Sequence, residues 1–369
     1  MINGVVLIPR KRVRNWFLSI RNFLLNNFTE KKVPYSAQIE VNLKCNAKCP
    51  FCAIDTLPES YVNKEMTTEQ IKYLIDQLAE LGINALSLTG GEPTLRKDLP
   101  ELIYHMGINH NFFNGITSNG FLLPELIPKF EGLDFILTSL DYPIAELHDK
   151  LRGIKVFDKV IKSIHLANKK DIKVVISTVV MKQNLDLLED LCELAENLNC
   201  AIELYPCEDI IWNISGKSYR GNDIQELIPD LTIWANKIRD LRSKFKNILT
   251  DPVSVEIIEK GGFGGNHDGS QKYQDILRCH VAEAYMFIRH DGFIDFPCKI
   301  NPIKSFNAFN HSLSNIYYSQ EVKDIMKKHD DYNFCDGCRL GCAIMSSIPT
   351  RWKTLYSKYV RGFLNGNLI

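Results

Sequence analysis

Residues 37–52 read AQIEVNLKCNAKCPFC. The first part, Ala37–Leu43, has the composition of a strand, and the second sets Cys45, Cys49 and Cys52 within eight residues directly after it. Three thiols on one loop can converge on one metal centre. A closed zinc site takes four ligands, whereas a cubane iron–sulfur cluster has four irons, so three thiolates leave one iron open for a substrate or cofactor.

Outward from this stretch, strand-like and helix-like segments alternate. Further strands are expected at 84–88, 112–117, 134–140, 173–180 and 201–205, and helices at 67–81, 98–106, 124–130, 156–170, 185–198 and 223–245. Thr67 and Gln70 stand in capping-box positions for the first helix. Six such units predict a parallel sheet curled into a partial or full barrel, with chemistry on the loops after the strands. Beyond Phe245 the alternation stops. Gly261–Ser270, GGFGGNHDGS, reads as a loop, and Asp291-Gly292 between apolar runs reads as a hairpin turn between Cys279 and Cys298.

The chain has 369 residues, 45% apolar and 24% charged, which excludes a disordered, collagenous or coiled-coil protein. No apolar run approaches the length of a membrane span, and no signal peptide is expected at Met1–Pro9. The net charge of zero hides an asymmetry. Residues 1–29 hold Arg10, Lys11, Arg12, Arg14 and Arg21 without an acid, and residues 337–369 hold Arg339, Arg351, Lys353, Lys358 and Arg361 without an acid. Both ends are also amphipathic, with Val13, Trp16, Phe17, Ile20, Leu24 and Phe28 on one face of the first and Trp352, Leu355, Tyr356, Tyr359, Val360, Phe363 and Leu364 on one face of the second. Such ends either dock on the barrel or lie on an anionic membrane surface. No basic groove with interleaved aromatics runs through the acidic middle, so nucleic acid is not expected as a partner.

Eleven cysteines, an odd number, argue for reduced thiols acting as ligands rather than for a disulfide framework. Cys192 and Cys200 read as buried apolar residues, as does Cys207, although it falls near the expected mouth of the barrel. The nine histidines show no HxxxH or HxH pairing.

The CxxxCxFC pattern of Cys45–Cys52, followed one strand later by Gly90-Gly91-Glu92-Pro93, resembles the signature of the radical S-adenosylmethionine (radical SAM) superfamily. The resemblance covers about Ala37 to Cys207 and implies a partial (β/α)6 TIM-like barrel. It also implies that Cys45, Cys49 and Cys52 hold a [4Fe–4S] cluster whose fourth iron is chelated by S-adenosyl-L-methionine. Gly90, Gly91, Glu92 and Pro93 would then receive the methionine ammonium and Phe51 would lie by the adenine, with Ser118, Asn119, Ser139, Asp141 and Arg152 as further cofactor contacts. Loop-capping or surface roles stand beside the functional ones for these last five. No catalytic side chain is singled out.

Cys279, Cys298 and then Cys335-x-x-Cys338-x-x-x-Cys342 are similar to the SPASM/twitch extension of many radical SAM enzymes. That likeness implies an auxiliary [4Fe–4S] cluster on Cys279, Cys298, Cys335 and Cys338, with Cys342 substituting or spare. A structural zinc is the alternative. The implied organisation is an N-terminal basic helix (1–34), the barrel (35–245), a linker (246–278), a twitch-like domain (279–345) and a C-terminal amphipathic helix (346–369).

The implied activity is reductive cleavage of S-adenosylmethionine to a 5′-deoxyadenosyl radical that takes hydrogen from an unactivated C–H, with ferredoxin or flavodoxin as reductant. A lipid or lipid-linked substrate at the inner face of the membrane is the first expectation, for a cytoplasmic, peripherally attached enzyme. A ribosomal peptide or small alcohol is the alternative, and an electron-transfer or metal-binding scaffold is the reading without catalysis.

Overall fold

The computed structural model describes residues 13–214, 217–222, 224–263, 279–328, 332 and 337–350. Six parallel strands pair in chain order: β1 (Ser36–Asn42), β2 (Ala85–Gly90), β3 (Phe113–Ser118), β4 (Phe135–Ser139), β5 (Lys173–Val180) and β6 (Ala201–Pro206). Successive side chains of a strand point to opposite faces. In β1, Ala37, Ile39 and Val41 are at most 1% exposed and join the core beneath the helices. The other face is polar: Gln38 Nε2 donates to Ser87 Oγ of β2 (3.1 Å), and Ser177 Oγ of β5 donates to Glu203 of β6 (2.8 Å). The sheet therefore presents an apolar outside to its helices and a polar inside to the lumen.

After β6 comes a small separate hairpin, β7 (Trp212–Ile214) and β8 (Lys217–Tyr219). β9 (Tyr285–Ile288) then pairs parallel with β1, and β10 (Phe293–Phe296) and β11 (Lys304–Asn307) follow antiparallel. The order β11-β10-β9-β1-β2-β3-β4-β5-β6 leaves two edges, so the barrel is partial, as expected. The hairpin between Cys279 and Cys298 is present, turning at Gly292 with φ +79°, and it extends the barrel sheet rather than forming a sheet of its own.

The helix Thr68–Leu81 shows how such elements are fixed. Thr67 and Gln70 form the capping box, with Gln70 N–H donating to Thr67 Oγ1 and Thr67 N–H to Gln70 Oε1, and Gly82 closes the helix at φ 90°. Ile71, Leu74, Ile75 and Leu78 are fully buried. Each such side chain contributes about 2 kcal/mol, against about 1 kcal/mol for the cap. Packing holds the helix; the cap decides where it begins.

Several expected helices are broken where proline intervenes. The expected 223–245 segment divides into Ile224–Leu227 and Leu231–Lys244, because Pro229 disfavours helical Ile228 and Asp230 starts a new helix by accepting from the N–H groups of Thr232 and Ile233 (both 2.9 Å). The 124–130 segment is Leu123–Leu126 plus a 3-10 turn at Pro128. Helix Leu99–Tyr104 runs into a π-turn, His105–Asn109. Helix Ala145–Arg152, with HDKLRG at its end, was not among the expected helices. The expected linker contains helix Pro252–Glu259, capped by Asp251; its residues 264–278 lie outside the described ones.

The N-terminal helix Val13–Phe28 docks in an unexpected orientation. Its asparagine face meets the protein, with Asn22 Nδ2 donating to Gly82 O (3.0 Å) and Asn26 Nδ2 to Val33 O (2.7 Å). Phe17 and Phe28 are 61% and 60% exposed, and Ile20 and Leu24 are exposed beside them. Residues 1–12, with Arg10, Lys11 and Arg12, and residues 351–369, with the whole second apolar stripe, lie outside the described residues. No described helix is long and apolar enough to cross a membrane.

Candidate functional site

Cys45, Cys49 and Cys52 stand on the loop after β1, at the end of the barrel where the six parallel strands finish. Backbone bonds set the loop's shape. Cys52 N–H donates to Cys49 O (3.0 Å) and Lys48 N–H to Arg152 O (2.9 Å). From the loop after β2, Gly91 N–H donates to Asn42 O (3.0 Å) and Glu92 N–H to Lys44 O (2.8 Å). This stitching explains the glycines. A Cβ on Gly91 would lie 2.4 Å from the carbonyl oxygens of Leu43 and Lys44, and one on Gly90 would lie 2.3 Å from Asn42 O.

Burial pushes all three thiols up, Cys45 to about 12, so as free thiols they are protonated. Two donors are nevertheless aimed at sulfur: Arg152 Nη1 lies 3.7 Å from Cys49 Sγ and Asn119 Nδ2 3.9 Å from Cys45 Sγ. Buried thiols with polar donors trained on them, on a loop held by carbonyl bonds, fit a centre that takes them as thiolates. Three sulfur ligands suit an iron–sulfur cluster with one open iron.

Glu92 is fully buried and its carboxylate is fully engaged. It accepts from Thr94 N–H (3.1 Å), Thr94 Oγ1, Ser118 Oγ (2.8 Å) and Asn119 N–H (2.6 Å). Burial pushes this carboxyl up, and the four donors oppose that. Glu92 thus pegs the glycine turn to the Ser118-Asn119 corner after β3, and Asn119 Nδ2 continues the chain to Asn46 Oδ1 (2.8 Å) on the cysteine loop. Pro93 is buried and opens the following 3-10 turn.

Asp141 and Arg152 form a buried pair, with Arg152 Nε 2.7 Å and Nη2 2.6 Å from Asp141 Oδ2. The other carboxylate oxygen accepts from Val179 N–H (3.0 Å). Burial opposes the Arg152 charge, but Asp141 and Cys49 together hold the guanidinium above its ordinary range. Arg152 also lies over the half-buried Phe51 ring, 5.3 Å from its centroid. His148, fully buried, accepts from Asp141 N–H through Nδ1 (3.2 Å), and burial depresses it to about 4. Ser139 ends β4, half-buried. The structure therefore gathers Phe51, Asn119, Asp141 and Arg152 around the cysteine loop, with Glu92 and Ser118 behind them.

A second group at the mouth was not singled out in the sequence. Lys299, next to Cys298, reaches Glu40 of β1 (2.6 Å) between the rings of Trp212 (3.9 Å) and Phe287 (4.3 Å). His290 bonds the same Glu40 through Nδ1 (3.2 Å). Beside them opens a cleft lined by Tyr61, Trp212, Arg289, Asp295 and Lys299. The signal was faint but present: Gln38, Glu40 and Asn42 alternate with apolar residues along β1, which marks a polar inner face.

Among the second set of cysteines, Cys298, Cys338 and Cys342 lie within electrostatic reach of one another, and Cys338 and Cys342 also of the Glu208 carboxylate. Burial first, then Glu208, push Cys338 to about 12, and burial raises Glu208 itself to about 7. The Cys338 segment is pinned by Phe263 N–H to Cys338 O (2.8 Å), and Gly341 packs on the Tyr205 ring of β6. Cys342 lies near Cys338 and Cys298, the position expected of a residue that substitutes as a ligand rather than one left spare. Cys279 is buried beside the core, and Cys335 lies outside the described residues. Cys192, Cys200 and Cys207 are buried, Cys207 among Tyr142, Met181, Ile224 and Leu227.

Residues 39–195 match the model of the Radical SAM superfamily. A Fe-coproporphyrin III synthase of Methanosarcina barkeri (strain Fusaro) is 37% identical over 158 residues, 40% of this chain and 39% of that protein. A probable GTP 3′,8-cyclase of Saccharolobus islandicus is 31% identical over 225 residues, 58% of this chain and 71% of that protein. This chain spans about two-fifths of the length of the synthase and, similarly, 42% of an AdoMet-dependent heme synthase of Oleidesulfovibrio alaskensis. Among solved structures, Streptococcus suis SuiB bound to S-adenosylmethionine superposes with a TM-score of 0.62 at 18% identity, covering 86% of this chain and 72% of that one, a likeness of fold.

Proposed function

Because the chain belongs to the radical SAM superfamily, we propose that it is an enzyme whose Cys45, Cys49 and Cys52 hold a [4Fe–4S] cluster and whose Gly90–Pro93 edge, Asn119 and Asp141–Arg152 pair bind S-adenosylmethionine. The observation that carries this is the three-thiol loop locked by carbonyl bonds to the glycine turn at the mouth of a polar-lined barrel. When bound, the cluster and cofactor supply a 5′-deoxyadenosyl radical from one electron of an external reductant. The protein's own part is to orient and to exclude water. Arg152 sets charge and a ring-stacking plane beside Cys49, Glu92 keeps the glycine turn rigid, and the lumen offers Gln38, Ser177 and Glu203 to a polar substrate.

Anaerobically reconstituted, reduced protein should form 5′-deoxyadenosine from S-adenosylmethionine, and Cys49→Ala should not. Iron-loaded, reduced protein that forms none would refute the enzyme in favour of an electron-transfer scaffold.

The exposed stripe Phe17, Ile20, Leu24 and Phe28, in a segment (1–29) whose charged residues are all basic, supports peripheral attachment to an anionic membrane. This helix docks at Gly82, before β2, which is the end of the barrel opposite the cysteine loop. A lipid substrate drawn from that surface fits this placement poorly. A peptide or polar small molecule fits better, since the mouth cleft is lined by aromatic and charged groups and the relatives reported above are named for porphyrin and nucleotide chemistry. Cosedimentation with phosphatidylglycerol vesicles should fall in Phe17→Asp/Leu24→Asp, a variant that leaves the asparagine face intact. Equal sedimentation of both proteins would remove the attachment.

For the second cysteine set we favour an auxiliary cluster involving Cys298, Cys338 and Cys342. Cys338→Ala/Cys342→Ala should lose about four irons; loss of one zinc instead would make the site structural.

A further inference from the structure

Asp76 lies on helix Thr68–Leu81, and His105 and His110 flank the π-turn that follows helix Leu99–Tyr104. The Asp76 Oδ1 atom is 2.7 Å from His105 Nε2 and 2.6 Å from His110 Nε2. The three ligand atoms lie within 4.8 Å of one another, and the two rings meet edge to face at 4.9 Å. Residues five apart in an α-helix point about 140° away from each other. Here the wider π-turn, closed by His110 N–H donating to His105 O (3.3 Å), brings both imidazoles to one side.

We propose that Asp76, His105 and His110 form a binding site for a divalent first-row transition ion of the zinc class, separate from the cluster sites. Two imidazoles and a carboxylate are a donor set for such ions rather than for magnesium or calcium, which take oxygen. The side chains of His105 and His110 are 15% and 26% exposed and that of Asp76 is 44% exposed, so the remaining positions open to water. Asn109 supplies a second layer, its side-chain amide 3.0 Å from His105 Nδ1. With the amide turned so that its oxygen faces the ring, His105 carries its proton on Nδ1 and offers Nε2 to the metal. Binding moves each ring proton from Nε2 to Nδ1 and changes no oxidation state.

The place gives the ion a role. Asp76 belongs to the helix before β2, and His110 comes just before β3, so an ion there ties two outer helices together at the end of the barrel remote from the cysteine loop. Its function is to brace the helical layer, not to take part in the radical reaction.

The test uses anaerobically reconstituted protein, so that clusters occupy the cysteines, dialysed against Zn²⁺. Wild type should retain about one more zinc per chain than His105→Ala, His110→Ala or Asp76→Asn at equal iron content, and Zn²⁺ should raise its unfolding midpoint but not theirs. Asn109→Ala should weaken binding roughly tenfold. Should the variants fold poorly, ring ¹⁵N spectra of wild type decide: two Nε2 resonances shift as Zn²⁺ is added. Equal zinc and equal midpoint shifts in all proteins, or ring resonances unmoved by Zn²⁺, would overturn the site.

Discussion

The Asp141–Arg152 pair offers the sharpest test of how the barrel mouth is held. Asp141 is fully buried and the Arg152 side chain is 8% exposed, with both nitrogens of the guanidinium edge within 2.7 Å of one carboxylate oxygen. Arg152→Met leaves the Asp141 charge in a site from which water is excluded, where its other support is the single bond from Val179 N–H. Breaking such a pair costs about 3–5 kcal/mol, against a total stability of roughly 5–15 kcal/mol for a domain. An exposed pair would cost less than about 1 kcal/mol, so the two cases are well separated. Urea unfolding of Arg152→Met and Asp141→Asn should each show the large loss. The double variant Asp141→Leu/Arg152→Met should recover most of it, because apolar replacement of both partners removes the stranded charge. The double variant should still cleave S-adenosylmethionine poorly, since Cys49 has lost its cation and Phe51 the group stacked above it. Single variants within about 1 kcal/mol of wild type, or a double variant with normal cleavage, would refute this reasoning.

Other expectations follow from the same geometry. Gly91→Ala should lower iron per chain after reconstitution, because the new methyl group meets two backbone carbonyls that cannot swing aside; unchanged iron would mean that the loops need not touch. His148, depressed by burial to about 4, binds its proton more tightly unfolded than folded. Stability should therefore be intact above about pH 6.5 and fall as pH drops toward 4, by about 3 kcal/mol in all; His148→Gln should flatten that slope, and a variant as acid-sensitive as wild type would assign it elsewhere. Lys299→Met should reverse the low-pH behaviour of Glu40, whose carboxyl, despite its burial, Lys299 holds below its usual range. Wild type gains stability from Glu40 above pH about 4.5 and loses it on acidification, and the variant should lose less between pH 7 and pH 4 in urea unfolding.

What could be read in advance was what is local. A strand followed by three cysteines, a glycine turn one strand later and a capping box each declare themselves within a few residues, and all three stand where the alternation of strands and helices puts them. Prolines at 128 and 229 could have divided two helices earlier, had their effect on the preceding residue been weighed. The partners of Glu92 were hidden, because Ser118 and Asn119 come from another loop and only the sheet brings them near. Lys299 finds Glu40 across 259 positions of chain, and no pattern in either neighbourhood foretells it. His105 and His110 escaped the HxxxH and HxH patterns because they stand five apart, a spacing that only the π-turn brings to one side. Amphipathy gave the N-terminal helix two faces but not the one that docks. Asn22 and Asn26 chose, since their amides donate to the backbone carbonyls of Gly82, which Arg21 also reaches, and of Val33.

That choice has a mechanical consequence for the whole molecule. A helix that docked by its phenylalanines would be held by apolar area alone, and its asparagines would stay in water. Docking by directed hydrogen bonds fixes the helix in register and leaves Phe17, Ile20, Leu24 and Phe28 exposed, so a surface laid over them would bury apolar area. The stripe and the Asp76–His105–His110 cluster both belong to the end where the strands begin, while the cysteines, the glycine turn and Arg152 belong to the end where they finish. Substitutions at one end should therefore add to those at the other rather than couple with them, because additivity holds for sites more than about 10 Å apart without shared partners. A Leu24→Asp/Arg152→Met protein should show the attachment defect of one and the stability defect of the other in full. A marked departure from that sum would mean that the barrel passes strain from end to end.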